Sequence, residues 1–105
     1  MLAACAEAAG SVPEWAQASH AWLLEHAVEP WMGPRSLPLW LPQPGYEGFM
    51  TRSRHRAEQR GLVTRSLTET ARAALRWEQE LGTDRSRHAG LTPDDERELL
   101  TALRG

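Results

Sequence analysis

The apolar positions of this chain follow the helical period in two places and break from it between them. Over residues 67–81, Leu67, Ala71, Ala74, Leu75 and Leu81 recur on one face. Ser66-Leu67-Thr68-Glu69 opens that stretch as a capping box, and Gly82 closes it. Over 93–104, Leu99, Leu100 and Leu103 make a second stripe. There Thr92 is the cap, Pro93 the first helical residue, and Asp94 and Asp95 face the positive end of the helix dipole. Three shorter helices are predicted. One over 1–9 is alanine-rich and stopped by Gly10. A second runs from Ser19 as cap through His26 and buries Trp22 and Leu23. The third runs from Ser53 as cap to Gly61. Two brief runs, 12–17 and 62–65, read as short strands that pair, the first at an edge because of Pro13. The pattern predicts an α+β chain, mostly helical, with four to five helices and two short strands. Helices 67–81 and 93–104 are expected to supply much of the core, and 83–91 to be a polar linker to the terminal helix.

Residues 29–50 match neither period. Within them, 37–50 reads Leu-Pro-Leu-Trp-Leu-Pro-Gln-Pro-Gly-Tyr-Glu-Gly-Phe-Met. Its prolines and glycines remove amide donors and favour extended or turned backbone, so no helix forms there. About twenty residues without regular structure are unusual in a compact domain. The apolar side chains argue against a solvated or disordered loop. Trp31, Leu37, Trp40, Leu41, Pro42, Tyr46, Phe49 and Met50 therefore form a candidate apolar surface whose role is shape and lining, not proton transfer.

Length and charge narrow the classes. The 105 residues suit one domain with a small core. A net charge of −2 gives no overall field toward nucleic acid or a membrane surface. No apolar run approaches the roughly 18 residues that span a bilayer. The single cysteine, Cys5, excludes an internal disulfide and any multi-cysteine zinc site; it is expected buried in the first helix, and the usage fits a reducing cytoplasm. The chain has no Lys, Ile or Asn, and all 12 basic residues are Arg. Codons for the missing residues are rich in A and T, so a gene of high GC content accounts for part of the arginine.

Candidate chemistry is sparse. Without lysine this chain makes no Schiff base and no Tyr–Lys dyad; the position four after Tyr46 is Met50. His20, His26, His55 and His88 show no i, i+4 pair and no HExxH, so they read as surface or capping histidines. Neither GxGxxG nor GxxxxGK[ST] occurs. Arg52, Arg54, Arg56, Arg60 and Arg65 form a basic run around His55. Read as function it is a weak nucleic-acid patch; no stacking aromatic is interleaved after Phe49, and a solvated face is the simpler reading. Trp15, Trp22 and Trp77 read as core, while Trp31 and Trp40 stand on the irregular segment.

A string of short motifs in order carries a resemblance. Leu-Leu-Glu-His-Ala-Val-Glu-Pro-Trp stands at 23–31, Leu-Pro-Leu-Trp-Leu-Pro at 37–42, and Tyr-Glu-Gly-Phe-Met at 46–50. Arg56-Ala57, Arg60-Gly61-Leu62, Arg-Ser-Leu-Thr-Glu-Thr at 65–70 and Ala-Leu-Arg-Trp at 74–77 follow. Ala-Gly-Leu-Thr-Pro at 89–93 and Glu-Leu-Leu at 98–100 close the string. Over nearly its whole length the chain resembles the C-terminal part of actinobacterial NAD-dependent epimerase/dehydratase-like reductases, within the extended or atypical short-chain dehydrogenase/reductase superfamily. The family has an acidic residue at the position of Ser53, and both residue types cap helices.

The resemblance implies a substrate-binding region that closes over a small molecule. It also implies a Rossmann domain that carries NAD or NADP, the glycine-rich loop, the ribose-binding acid and the Tyr-x-x-x-Lys dyad, upstream of the position matched by Met1. On that expectation the chain is not catalytic alone, holds no cofactor or metal itself, and has the Rossmann domain as partner. Two other readings use the same residues. One is a stand-alone helical interaction module working through the aromatic segment; the other is a nucleic-acid binder working through 52–65.

Overall fold

A computed structural model describes residues 1–105. It is mostly helical, with five helices and two short strands: α1 (Leu2–Ala9), α2 (His20–Glu25), β1 (Glu29–Pro30), β2 (Ser36–Leu37), α3 (His55–Gln59), α4 (Leu67–Leu81) and α5 (Pro93–Arg104). The chain divides into two compact units. One is Met1–Glu14 with Ser53–Arg85; the other is Trp15–Arg52 with Ser86–Gly105.

In the first unit α1 packs on α4. Ala4, Ala6 and Ala8 of α1 are half-buried. Thr68 and Arg72 of α4 reach Glu7 at 3.3 Å and 3.9 Å. The capping box of Ser66 and Glu69 is formed. Beyond α4, Arg85 forks onto Glu78 through two bonds of 2.7 Å and lies over the Trp77 ring at 5.5 Å.

The second unit holds the two buried apolar residues of the chain, Val28 and Leu99, and the fully buried Ser36. Its sheet is one parallel pairing of β1 with β2, Glu29 opposite Ser36 and Pro30 opposite Leu37. Parallel strands ordinarily need a connection of about a dozen residues or more. Here the connection is short because Trp31, Gly33 and Arg35 all take left-handed backbone, at φ 69, 100 and 58. For tryptophan and arginine that conformation costs about 1–3 kcal/mol each. Bonds across the loop offset it: Glu29 N–H to the Arg35 carbonyl at 2.9 Å, and Trp31 N–H to the Leu37 carbonyl at 3.3 Å. The segment before α5 adds a third line. Pro34 bridges to Gly90, and the Ser36 Oγ accepts the Gly90 N–H at 2.8 Å.

The three short helices end alike. In α1, Ser11 N–H bonds the Ala6 carbonyl and Gly10 N–H that of Glu7; in α3, Leu62 bonds Ala57 and Gly61 bonds Glu58. These are Schellman ends with glycine in the left-handed position. The same bonds close α2, from Val28 to Leu23 and Ala27 to Leu24, but the left-handed residue is Ala27, at φ 56. Ala27→Gly is expected to stabilise the second unit by roughly 0.5–1 kcal/mol, because glycine takes this conformation without the Cβ clash. A chemical denaturation curve with a raised midpoint and unchanged slope would show it.

Several expectations are corrected. The runs 12–17 and 62–65 are not strands; Val12 and Val63 are almost fully exposed. A β-branched residue favours a strand by packing on a sheet, and neither run has a neighbour to pair with. The strands lie instead inside 29–50, so that segment is not wholly irregular. The stripe on α4 buries nothing: Leu67 and Leu81 are exposed and only Ala71 and Leu75 are partly covered. Its packing partner α1 has 8 residues, too few to cover a helix of 15. Cys5, Trp15 and Trp77 are exposed rather than core. The third short helix is shorter than predicted: Ser53 bonds His55 N–H, while Arg54 takes the cap position.

The chain exposes 8747 Å². An unfolded chain of 11.8 kDa exposes on the order of 17,000 Å², so folding buries roughly half, below the ~60% of an ordinary 60-residue domain. Both units leave apolar surface in solvent.

Candidate functional site

The second unit carries two concave apolar surfaces. The first is a cleft of ≈ 370 Å³ lined by Trp31, Leu41, Gln43, Tyr46 and Phe49. The Phe49 ring meets Trp31 edge to face at 5.6 Å and 85°, and Tyr46 at 6.5 Å. Successive turns bring these residues together, with Phe49 N–H on the Tyr46 carbonyl and Tyr46 N–H on that of Gln43. Glu47 folds back to accept the Gly45 N–H at 2.8 Å, which fixes the turn.

The second surface is a groove of ≈ 310 Å³ beside α2 and α5. Trp22, Leu23, Leu37, Leu99, Leu100 and Leu103 supply most of its apolar lining.

Of the eight residues singled out in the sequence, four share the cleft: Trp31, Leu41, Tyr46 and Phe49. Leu37 lines the leucine groove instead. Trp40 stands edge-on to His20 at 5.8 Å, and its indole N–H is buried without a protein acceptor. Pro42 is half-buried outside the lining, and Met50 is exposed. Gln43 joins the cleft unforeseen. Gln43 sits in a bend, and no periodicity along the sequence marks it.

A clamp not foreseen from the sequence ties the β1–β2 turn to α5. Arg35 points away from the cleft toward α5. Its Nε donates to the His26 carbonyl at 3.2 Å, Nη1 to Asp95 at 2.7 Å, and Nη2 to Glu98 at 3.0 Å. Hydrogen bonding to Glu98 and then Asp95 holds the guanidinium above its ordinary pKa. Asp95 also closes the α5 capping box with Thr92. Hydrogen bonds from the Thr92 hydroxyl and backbone, then from Arg35, hold its carboxyl below the ordinary carboxylate value.

A pH dependence follows. Folding lowers this pKa, so its stabilisation is fully present above the unfolded value of about 4 and is lost as pH falls through the folded one. The stability of the second unit is expected to lose this contribution progressively below about pH 4. Asp95→Asn should make that acid limb shallower in a denaturation series; an unchanged limb would place the titration elsewhere.

No group of three or more His, Cys, Asp or Glu side chains is placed to hold a metal. His26 stacks on Trp22 at 3.8 Å with Nδ1 against the Trp22 carbonyl, a helix-capping arrangement. No helix is long and apolar enough to cross a membrane. In comparison with known proteins, the chain matches no family model, no curated protein and no solved structure.

Proposed function

We propose that this chain is the substrate-side part of an NAD(P)-dependent reductase of the epimerase/dehydratase-like type. In that reading the aromatic cleft is one wall of a substrate site. A Rossmann partner supplies the dinucleotide and the proton-transfer groups. The observation that carries it is the gathering of Trp31, Leu41, Gln43, Tyr46 and Phe49 into one open cleft that presents shape and two hydrogen-bonding groups but no nucleophile–base pair. The ordered motif string supports the same assignment. The test is the reading frame upstream of the Met1 codon, together with cofactor titration of the chain. An in-frame glycine-rich βαβ unit followed by Tyr-x-x-x-Lys is expected, with no saturable binding of NAD(H) or NADP(H) by residues 1–105 alone. Tight nucleotide binding by the isolated chain overturns the division of labour.

The leucine groove favours a second reading, a helical module that binds a protein partner. It predicts that Leu103→Asp, on that groove, disrupts partner binding while Phe49→Ala, on the cleft, leaves it intact.

A further inference from the structure

Building on the reading of the cleft as a substrate wall, we propose that the cleft takes an uncharged, flat, ring-bearing molecule and rejects anionic ligands such as phosphate esters and carboxylates. Charge carries the inference. The five lining residues are an indole, a phenol, a phenyl ring, a leucine and a carboxamide, and none is a carboxylate or a cation. Between residues 29 and 50 the only cation is Arg35. All three of its nitrogens are already occupied, by the His26 carbonyl, Asp95 and Glu98. The other charges of that segment are the carboxylates Glu29 and Glu47. None of the residues that line the cleft offers an anion a compensating cation, so the cost of its own desolvation opposes entry.

Shape points to a ring. Three aromatic side chains converge at 5.6 Å and 6.5 Å between centroids, and rings prefer offset or edge contacts at such distances. Trp31 is held there by left-handed backbone, a conformation rare for a bulky residue. The volume, ≈ 370 Å³, lies at the low end of ligand pockets and suits about one bicyclic system. Gln43 and Tyr46 supply hydrogen bonds to one or two polar substituents.

The experiment uses the 105-residue chain labelled with ¹⁵N, whose 5 indole N–H signals are few enough to resolve. The probes are 2-naphthol and 2-naphthoate, which share a bicycle and differ in charge at neutral pH. Trp31→Phe assigns one signal and Trp77→Phe a control. Naphthol is expected to shift the Trp31 signal saturably, at least about tenfold more tightly than naphthoate, and to leave Trp77 unmoved. Phe49→Ala, at a half-exposed position, should weaken naphthol by roughly tenfold. Naphthoate binding at Trp31 as tightly as naphthol overturns the charge assignment and leaves the substrate wall standing. Neither probe moving Trp31 overturns the substrate wall itself, and naphthol binding that ignores Phe49→Ala overturns the proposed location.

Discussion

Leu99→Ala is expected to cost the second unit about 2–3 kcal/mol, toward the lower part of the ~2–5 range for buried leucine. Leu99 is 6% exposed and, with Val28, makes up the apolar core. Removing three carbons forfeits roughly 2.4 kcal/mol of transfer free energy. The cavity contribution should be small, because the site adjoins a groove of ≈ 310 Å³ already open to solvent. Against a total of roughly 0.05–0.15 kcal/mol per residue, the loss is a large fraction of what holds so small a unit together. Trp15, Trp22, Trp31 and Trp40 lie in this unit and Trp77 in the other. In a Trp77→Phe background, tryptophan fluorescence therefore follows the second unit alone. Leu99→Met should cost less than about 1.5 kcal/mol because it conserves volume. A Leu99→Ala midpoint equal to that of the parent would mean that Leu99 is not part of a core.

What could be read from the sequence was local. Ser19, Ser66 with Glu69, and Thr92 with Pro93 and Asp95 mark helix starts because the capping partner is three residues away in the chain. Gly10 and Gly61 mark helix ends for the same reason. The end at Ala27 carried no such mark, since nothing in its side chain reports a left-handed backbone. The strands were hidden for a different reason. Ser36 pairs with Glu29, and it meets Gly90 from 54 residues away; a two-residue ladder leaves no period to detect. The α4 stripe misled in the opposite direction. Its spacing is truly helical, but periodicity names a face and not what covers it.

The candidate cleft divides along the same line. An apolar surface on a proline-broken segment was legible from composition, and four of its members do converge. Which way each side chain turns depends on the left-handed turns at Trp31 and Arg35 and on the clamp to α5, where Asp95 and Glu98 sit 60 and 63 residues away. Leu37 and Trp40 belong to the same motif but turn elsewhere.

Ser36→Ala should cost about 1–3 kcal/mol, although it removes a single oxygen. Ser36 is completely buried, and its Oγ accepts the Gly90 N–H at 2.8 Å while its own N–H reaches the Gly90 carbonyl at 3.4 Å. Alanine leaves the first of these donors, the half-buried Gly90 N–H, without this acceptor, and an unpaired N–H shielded from water carries a desolvation penalty. Ser36→Thr tests the other possibility: it keeps the hydroxyl but adds a methyl to a side chain fully withdrawn from solvent, costing about 1–3 kcal/mol by overpacking. The two variants separate in hydrogen exchange. Ser36→Ala should speed exchange at Gly90 specifically, whereas Ser36→Thr should loosen β1 and β2 together. Ser36 follows the left-handed turn at Arg35 and precedes Leu37, whose carbonyl accepts the Trp31 N–H, so either change should also broaden the Trp31 indole signal. Unchanged exchange at Gly90 in Ser36→Ala would show that this hydroxyl does not hold the loop.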